Sequence, residues 1–77
     1  MRAIIEDPAD LGRVIRRLRL RNEMTQQQLA DALGATQRYV SELETGKPKI
    51  ADERYFRLLR LLGMRLTVEI EDGRDAD

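Results

Sequence analysis

Four stretches of this sequence place hydrophobic residues every three or four positions, which is the period of an amphipathic α-helix. In the first stretch, Asp7 can cap a helix and Pro8 suits its first turn, so we expect that helix to run to about Asn22. Its predicted buried stripe consists of Leu11, Val14, Ile15 and Leu18. The pattern therefore predicts a fold that is mainly α-helical.

The second and third predicted helices are short and are separated by a tight turn. Thr25 and Gln28 have the spacing of a capping box, and Gly34 can adopt the left-handed conformation that ends a helix. Thr36 can cap the next helix. The predicted buried stripes are Leu29, Ala30 and Leu33 in the second helix and Val40 and Leu43 in the third. This is the spacing of a helix-turn-helix.

The C-terminal part of the chain is more apolar than one buried stripe requires. Asp52 can cap a fourth helix and Gly63 ends it, and its hydrophobic residues cover so much of the circumference that some should meet a second chain. From Met64 to Glu71 apolar and polar residues alternate, which is typical of a half-buried β-strand. We expect the dimer interface to include Leu58, Leu61, Leu62, Leu66, Val68 and Ile70.

A single β-strand cannot satisfy its own backbone hydrogen bonds. Residues 64–71 should therefore form a dimerisation strand that pairs with the same strand of another subunit, with the apolar segment at residues 3–5, or with both in turn. Residues 72–77 have nothing to bury and are predicted to be a disordered acidic tail.

The chemistry available to the chain is narrow. Its 77 residues contain neither His nor Cys, which excludes disulfides and a structural zinc site and removes the usual general base and thiolate nucleophile. We therefore expect no enzyme activity, no metal, no cofactor and no small-molecule ligand. No apolar run reaches the roughly 20 residues of a membrane span, and the N-terminus lacks the long apolar region of a signal peptide. These features predict a cytoplasmic protein.

The formal net charge is zero, but the charges are unevenly distributed. Residues 1–65 hold 13 basic and 9 acidic residues, whereas residues 66–77 hold 1 basic and 5 acidic residues. Most of the cations are arginines, whose planar guanidinium binds phosphate and base edges through two hydrogen bonds. The basic part can face a nucleic acid, although the solvated face of an ordinary helix would hold the same residues.

The outer face of the third predicted helix carries side chains that match base chemistry. With the apolar stripe turned inward, that face presents Gln37, Arg38, Ser41 and Glu42. Glutamine can bind adenine and arginine can bind guanine through two hydrogen bonds, glutamate accepts from cytosine, and serine is permissive. The alternative is a helical hairpin with a polar face, so the spacing favours DNA binding without establishing it.

The segment TQQQLADALGATQRYVSELETGK, residues 25–47, resembles the phage-repressor-type (Cro-like, XRE) helix-turn-helix, and the resemblance extends over about residues 11–63. The matching positions are Thr25-Gln26, Leu29-Ala30, Leu33-Gly34, Val40, Leu43-Glu44 and Gly46-Lys47. The resemblance implies a four-helix, lambda-repressor-like DNA-binding domain at residues 11–65, with the motif itself at residues 26–45.

The same resemblance assigns roles to individual residues. It implies that bases are read by Gln37, Arg38 and Ser41. Glu42 lies on the same face and is assigned a base contact as well, that of an acceptor from cytosine, although its charge would repel phosphate. It implies that the DNA backbone is held by Gln26, Thr36, Tyr39 and Lys47. Arg19 and Glu44 match positions that form an ion pair in this family.

The chain departs from the family pattern at two positions. The family usually has glycine before the second helix, where this chain has Glu23, and Ala35 replaces a larger aliphatic residue after the turn. The first loop therefore needs another residue in the left-handed conformation, and Asn22 is the predicted one.

A narrower resemblance covers RLLRLLGMRLTVEI, from Arg57 to Ile70, which is similar to the end of HipB-type antitoxins. It implies a homodimer joined by two C-terminal strands, double-stranded operator DNA as one partner, and a HipA-like kinase toxin as another. A stand-alone or phage-type repressor and a protein-binding adaptor on the same fold remain open. The sequence thus predicts one mainly α-helical domain over residues 1–77, with a C-terminal β-strand paired across a dimer.

Overall fold

Four helices follow one another in the computed structural model, which describes residues 2–71. They are α1 (Pro8–Arg21), α2 (Gln26–Leu33), α3 (Gln37–Glu44) and α4 (Glu53–Leu61). A capping side chain precedes each helix and accepts a hydrogen bond from a backbone N–H of its first turn; these caps are Asp7, Thr25, Thr36 and Asp52. The four predicted helices and their starting points are therefore confirmed. The predicted tail at residues 72–77 lies outside the described residues.

The hydrophobic core lies where α1 and α2 each pack against α3 and where α4 packs against α2. Burial of a Leu, Ile or Val side chain contributes about 1.5–3 kcal/mol, so such residues account for most of the favourable free energy of a domain this small. The buried hydrophobic residues are Ile15, Leu18, Leu29, Ala30, Leu33, Tyr39, Val40, Leu43, Leu58, Leu59 and Leu62.

Gly12 is buried on α1 at the point where this helix crosses the end of α3. A β-carbon at this position would clash with the carbonyl of Leu43 and would lie 2.7 Å from the carbonyl oxygen of Glu44. The close approach of the two helices therefore requires glycine. Gly12 is not among the predicted buried residues, because its role depends on the position of α3, which the pattern within α1 does not show.

In the loop between α1 and α2, the prediction of the left-handed residue is wrong. Asn22, the predicted left-handed residue, has φ −89° and ends α1 as an ordinary C-cap, whereas Glu23 has φ 56°. The N–H of Met24 donates to the carbonyl of Arg19 at 3.1 Å, and this reversal of the chain requires a left-handed residue just before Met24. Glu23 thus adopts the conformation that glycine normally supplies, at a cost of about 1 kcal/mol.

Residues 64–70 contain no β-strand in the single described chain, so the predicted strand is not confirmed. No ladder with residues 3–5 is present either, although Arg2 and Glu69 form an exposed ion pair at 3.0 Å. A strand that pairs only across a dimer would need the second subunit. That pairing stays a prediction.

The predicted dimer interface divides into two groups. Leu58 and Leu62 are buried in the core of their own chain, so their assignment to a dimer interface is wrong. The remaining members are exposed large hydrophobic residues, namely Leu61, Leu66, Val68 and Ile70. Only this second group is available to a partner.

Candidate nucleic-acid interface

The predicted base-reading residues share one side of α3. Gln37 and Arg38 are exposed, and Ser41 and Glu42 are half-buried one turn further along the helix. The opposite side of α3 is fixed by Val40 and Leu43, which are buried in the core. Packing of the apolar stripe therefore decides which polar side chains face outward.

Three cations surround the carboxylate of Glu42, and we call this group the Glu42 cluster. Lys49 Nζ lies 2.5 Å from Glu42 Oε1, Arg38 Nε lies 3.1 Å from Oε2, and Lys47 Nζ lies 3.5 Å from Oε2. The hydrogen bonds from Lys49 and Arg38 lower the pKa of Glu42 to about 2. The carboxylate predicted to read a base is therefore charged and already has partners within its own chain.

The side chain of Tyr39 is covered by cations from the loop after α3 and from α4. Its side chain is buried, and the Arg54 guanidinium stacks over the ring at 3.8 Å from the centroid, with Lys49 Nζ at 5.4 Å. Its hydroxyl is buried and has no hydrogen-bond partner among residues 2–71. The ring attaches α3 to the start of α4 through a cation–π contact, which contributes about 0.5–2 kcal/mol. The contact of Tyr39 with the DNA backbone stays a prediction.

Sequence reasoning missed Arg54 and Lys49 as parts of this surface. Lys49 joins the loop after α3 to both the Glu42 carboxylate and the Tyr39 ring. Arg54 lies in the first turn of α4, outside the motif. Neither residue occupies a position with a recognisable spacing, so only the three-dimensional structure identifies them.

Behind the exposed face lies a buried ion pair between Arg19 on α1 and Glu44 at the end of α3. Arg19 Nε donates to Glu44 Oε2 at 2.6 Å and Nη2 donates to Oε1 at 3.0 Å, with 7% and 3% of the two side chains exposed. Arg19 Nη1 also donates to the carbonyl of Met24 at 2.8 Å. The hydrogen bond to Glu44 raises the pKa of Arg19, so the guanidinium stays charged.

Two glutamines connect this ion pair to the surface. Gln26 Nε2 donates to Glu44 Oε1 at 3.1 Å, and Gln37 Nε2 donates to Gln26 Oε1 at 3.3 Å. A carboxylate can only accept, so the amide group of Gln26 must point its nitrogen at Glu44 and its oxygen at Gln37. Gln37 in turn keeps its own oxygen and one N–H free. This is the donor and acceptor pair that an adenine edge requires.

Two further residues with predicted backbone contacts remain accessible. The Thr36 hydroxyl accepts a hydrogen bond from the N–H of Tyr39 as the cap of α3, and its own O–H can still donate outward. Lys47 is mostly exposed beside the end of α3. Gln26 in the first turn of α2 and Thr36 at the start of α3 lie where exposed helix N–H groups also favour an anion.

Known proteins share this arrangement. The helix-turn-helix family matches residues 15–68, which include α2, the turn and α3. The chain belongs to the helix-turn-helix family. The prediction of a helix-turn-helix DNA-binding transcriptional regulator is thereby confirmed, and members of this family are regulators and not enzymes.

Individual relatives cover most of the chain. The uncharacterised HTH-type transcriptional regulator y4mF of Sinorhizobium fredii is 31% identical over 64 residues, which span 83% of this chain and 84% of the relative. Among solved structures, HipB in a complex with an O2 20mer has a TM-score of 0.74 at 25% identity, with 100% of both chains covered. A HipA-HipB-O2-O3 complex gives a TM-score of 0.72 at 25% identity, with 95% of this chain and 100% of that chain covered. The predicted resemblance to HipB antitoxins is thus confirmed at the level of the fold.

None of the helices within residues 2–71 combines the length and the apolar character that crossing a membrane would require.

Proposed function

We propose that this chain is a HipB-like antitoxin, a homodimeric repressor that binds the operator of its own operon and also binds a HipA-like kinase toxin. The observation that carries this proposal is the similarity to HipB over the full length of the chain, including the segment that follows α4. The helix-turn-helix motif alone would not require that segment. The complexes of HipB with 20mers and with HipA support operator DNA and a HipA-like protein as the two kinds of partner.

In the proposed mechanism α3 enters the major groove of DNA. Gln37 offers adenine the free oxygen and N–H that its contact with Gln26 leaves available. Arg38 is 84% exposed and pairs with Glu42 on the helix surface, a kind of contact that contributes about 0.3–0.5 kcal/mol. Arg38 can therefore exchange this partner for the two acceptors of guanine. Ser41 is a third base contact, and the phosphates are held by Gln26, Thr36 and Lys47.

The proposed dimer uses the apolar side chains that the single chain leaves exposed. Val68 is 87% exposed, and Leu66 and Ile70 alternate with polar residues in the same extended segment. Pairing of two such segments would satisfy their backbone groups and cover the apolar side chains. A two-fold dimer would then place one α3 in each of two major grooves, about 10 bp apart or a multiple of it, on a palindromic operator.

Substitution of Arg38 and of Lys47 separates base reading from backbone contact. On a duplex selected by the protein from a randomised library, Arg38→Ala should lose about 1–3 kcal/mol of binding free energy at one base pair and relax the preference there. Lys47→Ala should weaken selected and random duplexes equally, because phosphates carry no sequence. Equal losses of Arg38→Ala on both duplexes, measured by fluorescence anisotropy, would remove Arg38 from base reading.

Val68→Asp tests the dimer without touching the helical core. We expect sedimentation equilibrium to show a monomer for Val68→Asp and a dimer for the parent chain, with unchanged far-UV circular dichroism. Thr67→Asp places the same charge on the neighbouring position, which points to the other face of the predicted strand. A dimer of unchanged stability in Val68→Asp would contradict the strand pairing.

Coexpression with a kinase-like protein encoded beside this chain tests the toxin. A stoichiometric complex that suppresses the toxicity of the kinase is the expected result. A chain that represses its promoter and forms no such complex is the stand-alone or phage-type repressor. A protein-binding adaptor, by contrast, would leave every duplex unretarded even at low salt.

A further inference from the structure

The Glu42 cluster contains a charge of the wrong sign for a surface that faces DNA. Glu42 lies on the same side of α3 as Gln37 and Arg38, and the phosphates of a bound duplex would repel it. Its carboxylate also occupies cations that would otherwise contact phosphates. Both effects weaken DNA binding, so stabilisation of the complex does not explain this glutamate.

The geometry of the cluster shows what the carboxylate does in the free protein. Only 18% of the Glu42 side chain is exposed, since Lys49 and Lys47 approach from the loop after α3 and Arg38 approaches from the preceding turn. Lys49 is itself mostly covered, with 23% of its side chain exposed and the Tyr39 ring on its other side. One carboxylate thus restrains three cations, from two elements of the fold, directly beside the base-reading residues.

The three cations differ in how easily they can leave. Arg38 and Lys47 are exposed and are held at 3.1 and 3.5 Å, whereas Lys49 is held at 2.5 Å and is partly covered. A guanine edge offers Arg38 two aligned acceptors in exchange for its single contact with Glu42. The phosphates of random DNA offer these cations only a negative charge, and they must compete for the cations with the Glu42 carboxylate, which is already bound to them. The exchange therefore favours the specific complex.

We propose that Glu42 is a specificity-determining residue that restrains the surrounding cations and so lowers the affinity for random DNA more than the affinity for the operator. This role rests on the proposed sequence-specific DNA binding. It replaces the prediction that Glu42 reads a cytosine.

Glu42→Gln tests the proposal, because it removes the charge and keeps the shape. For a random duplex at about 0.1 M salt, we expect the affinity of Glu42→Gln to rise on the order of tenfold, and the slope of log affinity against log salt to become steeper by about one to two. For the selected operator the rise should stay below about threefold, because Arg38 is already committed to a base. The ratio of operator to random affinity should therefore fall.

Glu53→Gln is the matched control for net charge. Glu53 lies in the first turn of α4, and its carboxylate makes no ion pair within residues 2–71. This variant should leave the ratio of operator to random affinity at the parent value. A second comparison adds Glu42→Gln to an Arg38→Gln background, where the rise in affinity for random DNA should be smaller because one of the three cations is gone.

The outcomes distinguish this role from its alternatives. A lower preference for one C·G base pair, with unchanged affinity for random DNA, would show that Glu42 reads a base and would overturn the proposal. Equal gains on operator and random duplexes, matched by Glu53→Gln, would reduce Glu42 to a general charge effect and would also overturn it. Failure of the parent chain to prefer any duplex would instead overturn the proposed sequence-specific function on which this role depends.

Discussion

Glu42 and Glu44 lie two residues apart on α3, yet their surroundings differ completely. Glu44 faces the interior, where it forms a nearly buried, two-point ion pair with Arg19 and accepts a hydrogen bond from Gln26. Glu42 lies at the surface among three cations from the same helix and the following loop. One short helix thus carries a buried carboxylate that joins two helices and a second carboxylate that pairs with cations at the surface. This is possible because side chains two residues apart point to different sides of a helix.

The largest effect should follow from a change at the inner glutamate. Glu44→Gln leaves the Arg19 guanidinium buried without its counter-charge, and we expect a loss of about 3–5 kcal/mol in the free energy of unfolding. Urea denaturation followed by far-UV circular dichroism measures this loss. Glu42→Gln makes the same chemical change at the surface and should be far less destabilising. Equal losses in the two variants would contradict the difference in their surroundings.

The next largest effect concerns the crossing of α1 and α3, the two helices that the inner ion pair joins. Gly12→Ala would force α1 away from the carbonyls of Leu43 and Glu44, with an expected loss of about 2–3 kcal/mol. This loss would occur even though alanine favours helices by about 1 kcal/mol over glycine. Arg13→Ala, at the neighbouring exposed position, is the control. A Gly12→Ala protein as stable as the parent chain would show that the two helices can separate without penalty.

A smaller effect should come from the loop that brings the carbonyl of Met24 to Arg19. Glu23→Gly removes the penalty of a left-handed side chain and should raise the free energy of unfolding by about 0.5–1 kcal/mol. Glu23→Ala separates the two contributions, because it deletes the side chain and retains the backbone penalty. Thermal melts of the three proteins provide the measurement. A gain in Glu23→Ala as large as that in Glu23→Gly would assign the effect to the glutamate side chain.

The smallest effect should appear at the outer glutamate in acid. The pKa of Glu42 is lowered from 4.5 to about 2, so its charge stabilises the folded state above about pH 4.5, and this contribution is lost as the pH falls to about 2. Glu42→Gln lacks this titration. The difference in melting temperature between the parent chain and Glu42→Gln should therefore shrink between pH 5 and pH 2. A constant difference over this range would show that the cations do not hold the carboxylate in its charged form.

Much of the fold could be predicted because its signals are local. A capping side chain such as Thr25 or Thr36 interacts with backbone groups within its own first turn, so its role can be inferred from neighbouring residues alone. Gly34 takes the left-handed conformation that its position after α2 predicts. The exposed side of α3 could also be predicted, because the apolar residues on its other side had to be buried.

The candidate site was less predictable because several of its contacts join α3 to the loop and the helix that follow it. The ring of Tyr39 contacts Arg54 of α4, and the carboxylate of Glu42 contacts Lys49 of the loop after α3. Neither contact follows from a repeated spacing. The sequence identified which residue types were present on α3, but only the structure showed that the Glu42 carboxylate is paired with Lys49 and Lys47 of the following loop.

The C-terminal leucines show the same division. Their excess indicated that α4 and the following segment do more than fill one core, but Leu58 and Leu62 are buried in their own chain and Leu61 is exposed. The sequence by itself determined the helices, their caps and the family, because these depend on backbone geometry within a few residues. Only the tertiary structure decided which leucines stay exposed, why Gly12 is required and how the surroundings of Glu42 and Glu44 differ. Burial and ionic contacts depend on residues that folding brings together.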